Sequence, residues 1–408
     1  MSRPPRILHL SSLYPPHIVG GAERSVSMLA EAQAAGGWDV AAACLTPGEP
    51  AEESRNGVRV FRMAHGNDFW LEDWPSHTPR QREWAKFKQQ ANFAIERRFG
   101  DVIDRFRPDL VNTHSMVDIS TRVWRAAKRR GVPVVHTLRD FDLLCAASSM
   151  FRETGPCTHR HLKCRVLTFT KQFDQRVVSA VTAVGEGVLA RHLRYGFFDH
   201  IPPARRQVIW NTAKVEGVDA GYAKPPLAGP IVFGYLGRIS PEKGVDTLLK
   251  AVRLLPAAGW RLLIAGAALA SLAPYEQLAR GLPVEFIGFQ GPRALFDRID
   301  CLVAPSLWAE PLGRTVLEAY QAHVPVIGAR SGGIAEIIAD DDWLVPPGDV
   351  PALADRMRRV LAEGRPRSPQ GRDRVVARTT PEAVATAFAG MYGAVLSRPD
   401  LAPDAPVQ

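Results

Sequence analysis

Two glutamates, Glu310 and Glu318, lie eight positions apart in the segment Cys301–Ile338, CLVAPSLWAEPLGRTVLEAYQAHVPVIGARSGGIAEII. The segment reads as a buried strand, a loop, a helix, a second buried strand and a glycine turn that opens another helix. Pro311, Leu312 and Gly313 are expected to open the first of these helices, because proline suits a first turn, where its missing N–H is not needed. A helix start leaves free backbone N–H groups and a partial positive charge, which makes it an anion site. Arg314 places a cation in that first turn, against the helix dipole. A local rule broken at an expected anion site points to function. Carboxylates repel an anion, so Glu310 and Glu318 suit neutral hydroxyl groups beside it. A phosphate flanked by hydroxyls is what a sugar nucleotide presents.

A second stretch, Tyr235–Val245 (YLGRISPEKGV), follows an apolar strand and carries Arg238 and Lys243 on a loop. Arginine grips a phosphate through two parallel hydrogen bonds and lysine acts as a point charge. A solvated loop with a Pro-Glu-Lys turn is the bland alternative. Likewise Glu310 alone fits a helix-start acid held by its own amides, and Glu318 a solvated helix face. Near the N-terminus, PPHIVGGAER (15–24) joins a first strand to a first helix. Gly20 and Gly21 let backbone approach a ligand closely there. The full G-x-G-x-x-G fingerprint is absent, which counts against a nicotinamide enzyme.

Positioning these loops requires strands alternating with helices. Apolar strands read at Arg6–Leu10, Asp39–Leu45, Val58–Met63, Asp109–Asn112, Val132–Thr137, Ala180–Val184 and Val208–Trp210, with a helix over Ala22–Ala35 and a long helical region over Thr78–Phe106. Gly217–Pro230, rich in Gly, Pro and Ala, reads as a linker. A second series follows with strands at Ile231–Leu236, Arg261–Ala265, Val284–Ile287, Cys301–Ala304 and Val324–Ile327, and helices starting near Gly244, Leu269, Pro292 and Gly313. This alternation implies an α/β chain with two parallel-sheet, Rossmann-like domains, whose ligands bind beyond the carboxyl ends of the strands. The expected division is 1–218, then 219–380, then a terminal helix over 381–397 and a disordered tail over 398–408.

The 408 residues, 46% hydrophobic and 23% charged, suit a globular protein of two or three domains. No run is long enough to span a bilayer, and the N-terminus reads as a core strand rather than a signal peptide. Five cysteines and no export signal imply reduced thiols and a cytoplasmic setting. The net charge of +9, from 51 basic and 42 acidic residues, sits partly on RRFGDVIDRFR (97–107) and RVWRAAKRR (122–130). Solvated helix faces explain these runs; attraction to phosphates or to the inner face of an anionic membrane is the functional reading. Nucleic acid is not expected, since no zinc finger, RNA-binding signature or basic tail is present.

The order GGAE (20–23), GRISPEKG (237–244), E-x7-E within AEPLGRTVLEA (309–319) and SGG (331–333) resembles the family four retaining glycosyltransferases, of GT-B fold. The resemblance spans nearly the whole chain. It implies two facing Rossmann-like domains, a nucleotide-sugar donor held by the second, and an acceptor sugar or lipid-linked acceptor held by the first. It also implies that no metal or other cofactor is needed, and that the terminal helix packs back on the first domain. Carried onto this sequence, Arg238 and Lys243 would hold the diphosphate and stabilise charge on the leaving group. Glu310 would bond the donor sugar's hydroxyls and Glu318 the ribose. Backbone at Leu312, Gly313, Arg314 and Thr315 would meet sugar and phosphate oxygens, with Gly20 and Gly21 closing over the phosphates.

The chain departs from the family at PVVHTLRDFDLLC (133–145), where Arg139 stands in place of a histidine. An always-charged arginine cannot be a general base, but it binds anions. Arg139 and Asp140, and with them His136 and His114, are expected to wall the cleft. Cys145, Cys157, His159, His161 and Cys164 offer zinc-ligand types without the usual C-x2-C pair, so thiols or a labile bridge are the expectation there. The activity implied is retaining sugar transfer to an acceptor hydroxyl in polysaccharide or glycoconjugate synthesis. A sugar-nucleotide epimerase of the same fold and a non-catalytic sugar-nucleotide-binding protein are the alternatives.

Overall fold

The computed structural model describes residues 3–398 and 401, apart from 153, 154, 220, 269 and 367. Two compact units form. One comprises Met1–Met150, Thr158–Thr212 and Pro381–Gln408; the other comprises Phe151–Cys157 and Ala213–Thr380.

The first unit is built on an eight-stranded sheet of β1 (Arg6–Leu10), β2 (Asp39–Thr46), β3 (Ala51–Arg55), β4 (Val58–Ala64), β5 (Leu110–Thr113), β6 (Val134–Leu138), β9 (Ala180–Ala183) and β10 (Arg206–Val208). Two short strands, β7 (Phe151–Arg152) and β8 (Gly155–Pro156), form a separate ribbon. The order β10-β9-β6-β5-β1-β2-β4-β3 is parallel except at β3. Sequence reading missed β3, because its residues AEESR are exposed throughout and give no apolar alternation. Such a charged edge strand resists pairing with other chains. The chain winds outward through β2 and β4, then returns past β1 to β5 and β6. This reversal opens a crevice at the carboxyl ends of β1 and β5.

Helix Gly21–Ala35 buries Val26, Leu29 and Ala30, the face its spacing implied. The terminal helix Pro381–Leu396 adds Val384, Phe388, Met391 and Tyr392 to a cluster with Ile7, Leu29, Leu110 and Val135. It therefore covers the first sheet, each large side chain contributing about 2 kcal/mol by burial. The stretch 78–106 is two helices rather than one, Pro79–Gln89 and Phe93–Phe106. Asn92 breaks it by accepting the Ile95 N–H at 3.0 Å, an N-cap inside an amphipathic run.

The second unit has six parallel strands: β11 (Ile231–Leu236), β12 (Trp260–Ala265), β13 (Val284–Gly288), β14 (Cys301–Ala304), β15 (Val326–Ala329) and β16 (Leu344–Val345). Their order, β13-β12-β11-β14-β15-β16, puts the reversal between β11 and β14. Phe233, Leu262, Ile264 and Val303 pack with Leu248, Leu353 and Met357 from the covering helices. The stretch read as a linker is bonded into this unit instead. The Tyr222 hydroxyl donates to Asp297 Oδ1 at 2.6 Å, and Arg365 Nη2 donates to the Gly229 carbonyl at 3.0 Å. The expected disorder of 398–408 falls outside the described residues except at Arg398 and Leu401. Among the described residues no helix is long and apolar enough to cross a membrane.

Candidate functional site

The reversal between β11 and β14 brings two loops of the second unit together. After β11 the chain makes a tight turn at Pro241–Lys243 and enters helix Val245–Val252 through Gly244. Gly244 lies at φ +71°, and a Cβ there would fall 2.0 Å from the Pro305 carbonyl oxygen. Only glycine lets the turn approach the loop after β14 so closely. The Glu242 carbonyl then accepts the N–H groups of Leu307 and Trp308, both at 3.0 Å. On the far side, Gly332 lies at φ +53°, where a Cβ would meet the Glu310 carbonyl oxygen at 2.2 Å. The Gly333 N–H donates to that oxygen at 2.8 Å, and Ser331 Oγ donates to the Trp308 carbonyl at 2.8 Å. The loop carrying Glu310 is thus stitched on both sides.

Lys243 Nζ donates to Glu310 Oε1 at 2.8 Å and stands 5.0 Å from the centre of the Trp308 ring. The pair is mostly buried, with side-chain exposures of 17% and 15%. Arg238 is more open, 3.9 Å from Glu242. Helix Arg314–Gln321 begins at Gly313, φ +89°, with no side-chain cap. The expectation that Pro311 begins this helix is corrected: the left-handed backbone at Gly313 delays it to Arg314. A helix start of this kind leaves backbone N–H groups outside the helical ladder, which suit an anion. Arg314 Nε donates to Glu318 Oε1 at 2.7 Å. This ion pair explains a cation tolerated in the first turn. It also excludes the solvated-face reading of Glu318, which is buried. Leu312 is buried as well, leaving its backbone as what it can offer a ligand.

Arg238, Lys243, Glu310, Leu312, Gly313, Arg314, Thr315 and Glu318 therefore gather at one sheet edge. Together they can hold an anion and bond hydroxyls beside it. Sequence reading missed Trp308 and the Glu242 carbonyl, because backbone stitching leaves no side-chain signature.

The first unit's reversal carries a different arrangement. Arg139, just after β6, donates Nε to His114 Nδ1 at 3.2 Å and Nη1 to Asn211 Oδ1. His114 Nε2 meets His9 Nδ1 at 2.9 Å, and His9 Nε2 meets Gln33 Oε1 at 2.7 Å. Arginine only donates, so the proton positions follow: each histidine accepts at Nδ1 and donates from Nε2. Both are neutral. Burial pushes His9 down to about 4 and holds His114 well below its ordinary value, with Arg139 adding to both. His9 went unnoticed in sequence because it lies inside an apolar strand.

His114 and Arg139 are thus brought together, while His136 is not part of the chain. It is enclosed in the core, bonded to Thr113 at 2.9 Å and packed on Trp124 and Phe198. The expectation that it lines the cleft is corrected on that ground. Asp140 accepts from Ser115 Oγ and from the Asp142 N–H at 2.8 Å. Desolvation and the Asp142 carboxylate push Asp140 well above the usual range. For Asp142, burial raises the carboxyl, but Lys171 at 3.1 Å, the hydrogen bond with Asp140 and the nearby His136 together outweigh it and the group is lowered. Gly20 caps helix Gly21–Ala35, its N–H held by Glu23 at 2.9 Å, and Gly21 is the helix's first residue. Among the described residues no three His, Cys, Asp or Glu side chains group as a metal site. Cys145 and Cys164 Sγ lie 4.0 Å apart with no disulfide.

Residues 20–212 match the family model described as a glycosyl transferase 4-like domain, and residues 223–374 match the model for glycosyl transferases group 1. An uncharacterized 42.6 kDa protein in the cps region of Klebsiella pneumoniae is 27% identical over 332 residues, 81% of this chain and 87% of the relative. The glycogen synthase of Mycobacterium tuberculosis is 26% identical over 422 residues, 95% of this chain and 94% of that protein. Among solved structures, the sucrose-phosphate synthase of Thermosynechococcus elongatus superposes with a TM-score of 0.75 at 21% identity, covering 96% of this chain and 99% of that one. That last likeness is one of fold.

Proposed function

Because the chain belongs to the group 1 glycosyl transferases, retaining enzymes of GT-B fold that use nucleotide sugars, we propose that it moves a glycosyl group from a nucleoside diphosphate sugar to a hydroxyl of a saccharide or lipid-linked saccharide acceptor. The observation that carries this reading is the Lys243–Glu310 contact, held in stitched loops at the carboxyl ends of β11 and β14. Lys243 and Arg238 take the diphosphate and stabilise the charge that grows on it as the glycosidic bond breaks. Glu310, beside Lys243, accepts hydrogen bonds from the sugar's hydroxyls. Glu318, fixed by Arg314, keeps a second oxygen for the ribose.

The acceptor hydroxyl attacks from the face that the diphosphate leaves. Its proton passes to a phosphate oxygen, so no side-chain nucleophile enters. Two cations supply the charge that the diphosphate needs, and activity is expected to survive a chelator. The relative in a cps region supports polysaccharide or glycoconjugate assembly as the setting.

The test is twofold. Nucleoside diphosphates and their sugars, screened by thermal shift, are expected to raise the melting temperature, since a ligand of the native state alone stabilises it. Donor turnover is then measured for Lys243→Ala and Glu310→Ala. Silence across the whole ligand panel, or near wild-type turnover in both variants, would refute the assignment.

A further inference from the structure

The first unit carries an exposed apolar surface made of residues that belong to neither sheet reversal. Among the described residues eleven large hydrophobic side chains are exposed, and six of them lie on two adjoining segments. Trp84 and Phe87 stand on helix Pro79–Gln89 with their rings stacked at 5.7 Å. Leu162, Val166, Phe169 and Phe173 follow on helices Leu162–Leu167 and Lys171–Asp174 and the turn between them. Their spacing of four, three and four is that of one helical stripe, which in a globular protein marks a buried face. Here it faces solvent: Leu162 is 74% exposed and Phe169 60%.

The framework under the patch is firm. Lys163 pairs with Glu83. Gln90 Nε2 donates to the Val166 carbonyl at 3.2 Å, and Gln90 Oε1 accepts the Thr170 N–H at 3.1 Å. Beneath, Asp174 takes Thr121 Oγ1 and Arg125 Nε, each at 2.6 Å.

Charge selects the partner. Residues 79–90 and 158–176 hold nine Lys and Arg against two acids, Glu83 and Asp174. Both acids are already bonded, one to Lys163 and one beneath the surface. Lys86, Lys88 and Lys171 meet Asp118, Asp68 and Asp142 from neighbouring elements. Arg80, Arg165 and Arg176 are exposed and form no ion pair among the described residues. Aromatic and aliphatic side chains ringed by cations, whose one exposed acid, Glu83, is already paired with Lys163, match the interface of an anionic bilayer.

We propose that this face docks on an anionic lipid bilayer. Phe169, Phe173, Leu162 and Trp84 enter the headgroup boundary, and Arg165 and Arg176 meet lipid phosphates. The proposal stands apart from the transfer reading, because vesicle binding is measured without any sugar nucleotide. A failed donor screen and a failed vesicle assay are therefore distinguishable.

The experiment is co-sedimentation of the whole chain with sucrose-loaded vesicles of phosphatidylcholine, or of phosphatidylcholine with phosphatidylglycerol, at low and high salt. The wild type is expected to partition at least about tenfold better onto the phosphatidylglycerol vesicles, with salt weakening the preference. Phe169→Ser with Phe173→Ser is expected to cut partitioning about tenfold on the anionic vesicles. Arg165→Glu with Arg176→Glu is expected to erase the preference for phosphatidylglycerol. All four positions are exposed, and unchanged circular dichroism melting shows that the variants fold. No sedimentation of the wild type on anionic vesicles overturns the proposal, as does binding that neither variant changes. Dimerisation in lipid-free sedimentation velocity that Phe169→Ser abolishes would give the face to a second copy and overturn it equally.

Discussion

The two sheet reversals handle charge in opposite ways. In the second unit, cations and carboxylates are paired at the sheet edge, and Lys243 and Glu310, each partly exposed, meet directly. In the first unit, a line of neutral imidazoles runs inward from Arg139 through His114 and His9 to Gln33. The first arrangement suits a ligand that brings its own negative charge, since both partners can be drawn toward phosphate and hydroxyls. The second suits fixing one guanidinium. Its Nε and Nη1 donate to neutral acceptors, His114 and Asn211, which hold it in place. The same β-α alternation thus yields one edge built to bind and another built to position.

The largest effect expected is at the binding edge. Lys243→Met leaves Glu310 without its ammonium and removes a cation from the leaving group. Turnover is expected to fall about 10²–10³-fold, roughly 3–4 kcal/mol in the barrier. Glu310→Gln should cost a similar amount. The double variant should cost much less than the sum, because residues in contact are not independent. A cycle of kcat/KM values that adds cleanly would show that the contact is no functional unit.

Next comes the acid lability of the positioning edge. Burial lowers His9 to about 4 against an ordinary 6.5, and lowers His192, in the same unit, to about 4. A group whose folded pKa is depressed takes up protons first in the unfolded chain. Its contribution is complete above pH 6.5 and is lost as pH falls toward 4, about 3 kcal/mol for His9 alone. Asp140, raised in the fold, works the other way and gains as pH falls. Asp140→Asn should therefore steepen the acid loss. Urea midpoints followed by near-UV dichroism between pH 7 and 4 check this. A flat profile would mean that the histidine line is hydrated and charged. Ring ¹⁵N shifts provide a second check, with His9 and His114 both expected as the Nε2–H tautomer.

This contrast also explains what the sequence made legible. Arg238, Lys243, Glu310 and Glu318 lie in short stretches after apolar strands, and strand order alone brings those stretches together. The first-unit line joins Gln33 on a helix, His9 on β1, His114 just past the end of β5, and Asn211 some seventy residues beyond Arg139. His9 is a lone polar residue in an apolar strand and reads as core until the register pairs β1 with β5, while His114 and Arg139 read as cleft candidates whose bond to one another no local pattern shows. His136 shows the converse. It sits one strand away from the line, and only its contacts with Trp124 and Phe198 tell it from His114. β3 and the break at Asn92 escaped for a simpler reason: neither involves an apolar period.

Tyr392→Phe probes the first unit more gently. Its hydroxyl accepts from Asn112 Nδ2 at 2.6 Å, tying the terminal helix to β5 beside the histidines. The variant leaves a buried amide donor unbonded, an expected loss of about 1–3 kcal/mol in stability. Nucleoside diphosphate affinity, a property of the other edge, should not change. A parallel loss of affinity in titration calorimetry would show that the two edges are coupled.

The smallest effect expected is at Ser331, and it tests whether stitching matters for binding. Ser331 Oγ donates to the Trp308 carbonyl, which also receives Ser306 Oγ at 3.2 Å. Ser331→Ala therefore leaves that acceptor bonded, and the stability cost should stay near or below about 1 kcal/mol. Trp308 flanks the Lys243 ammonium, so a loosened loop lets that cation wander before the donor arrives. The donor's KM is then expected to rise a few-fold while kcat holds, because the loss falls on ground state and transition state alike. An equal fall in kcat with KM unchanged would mean that the loop tightens only as the glycosidic bond breaks. The Lys243–Glu310 contact would then belong to the transition state rather than to a preformed site.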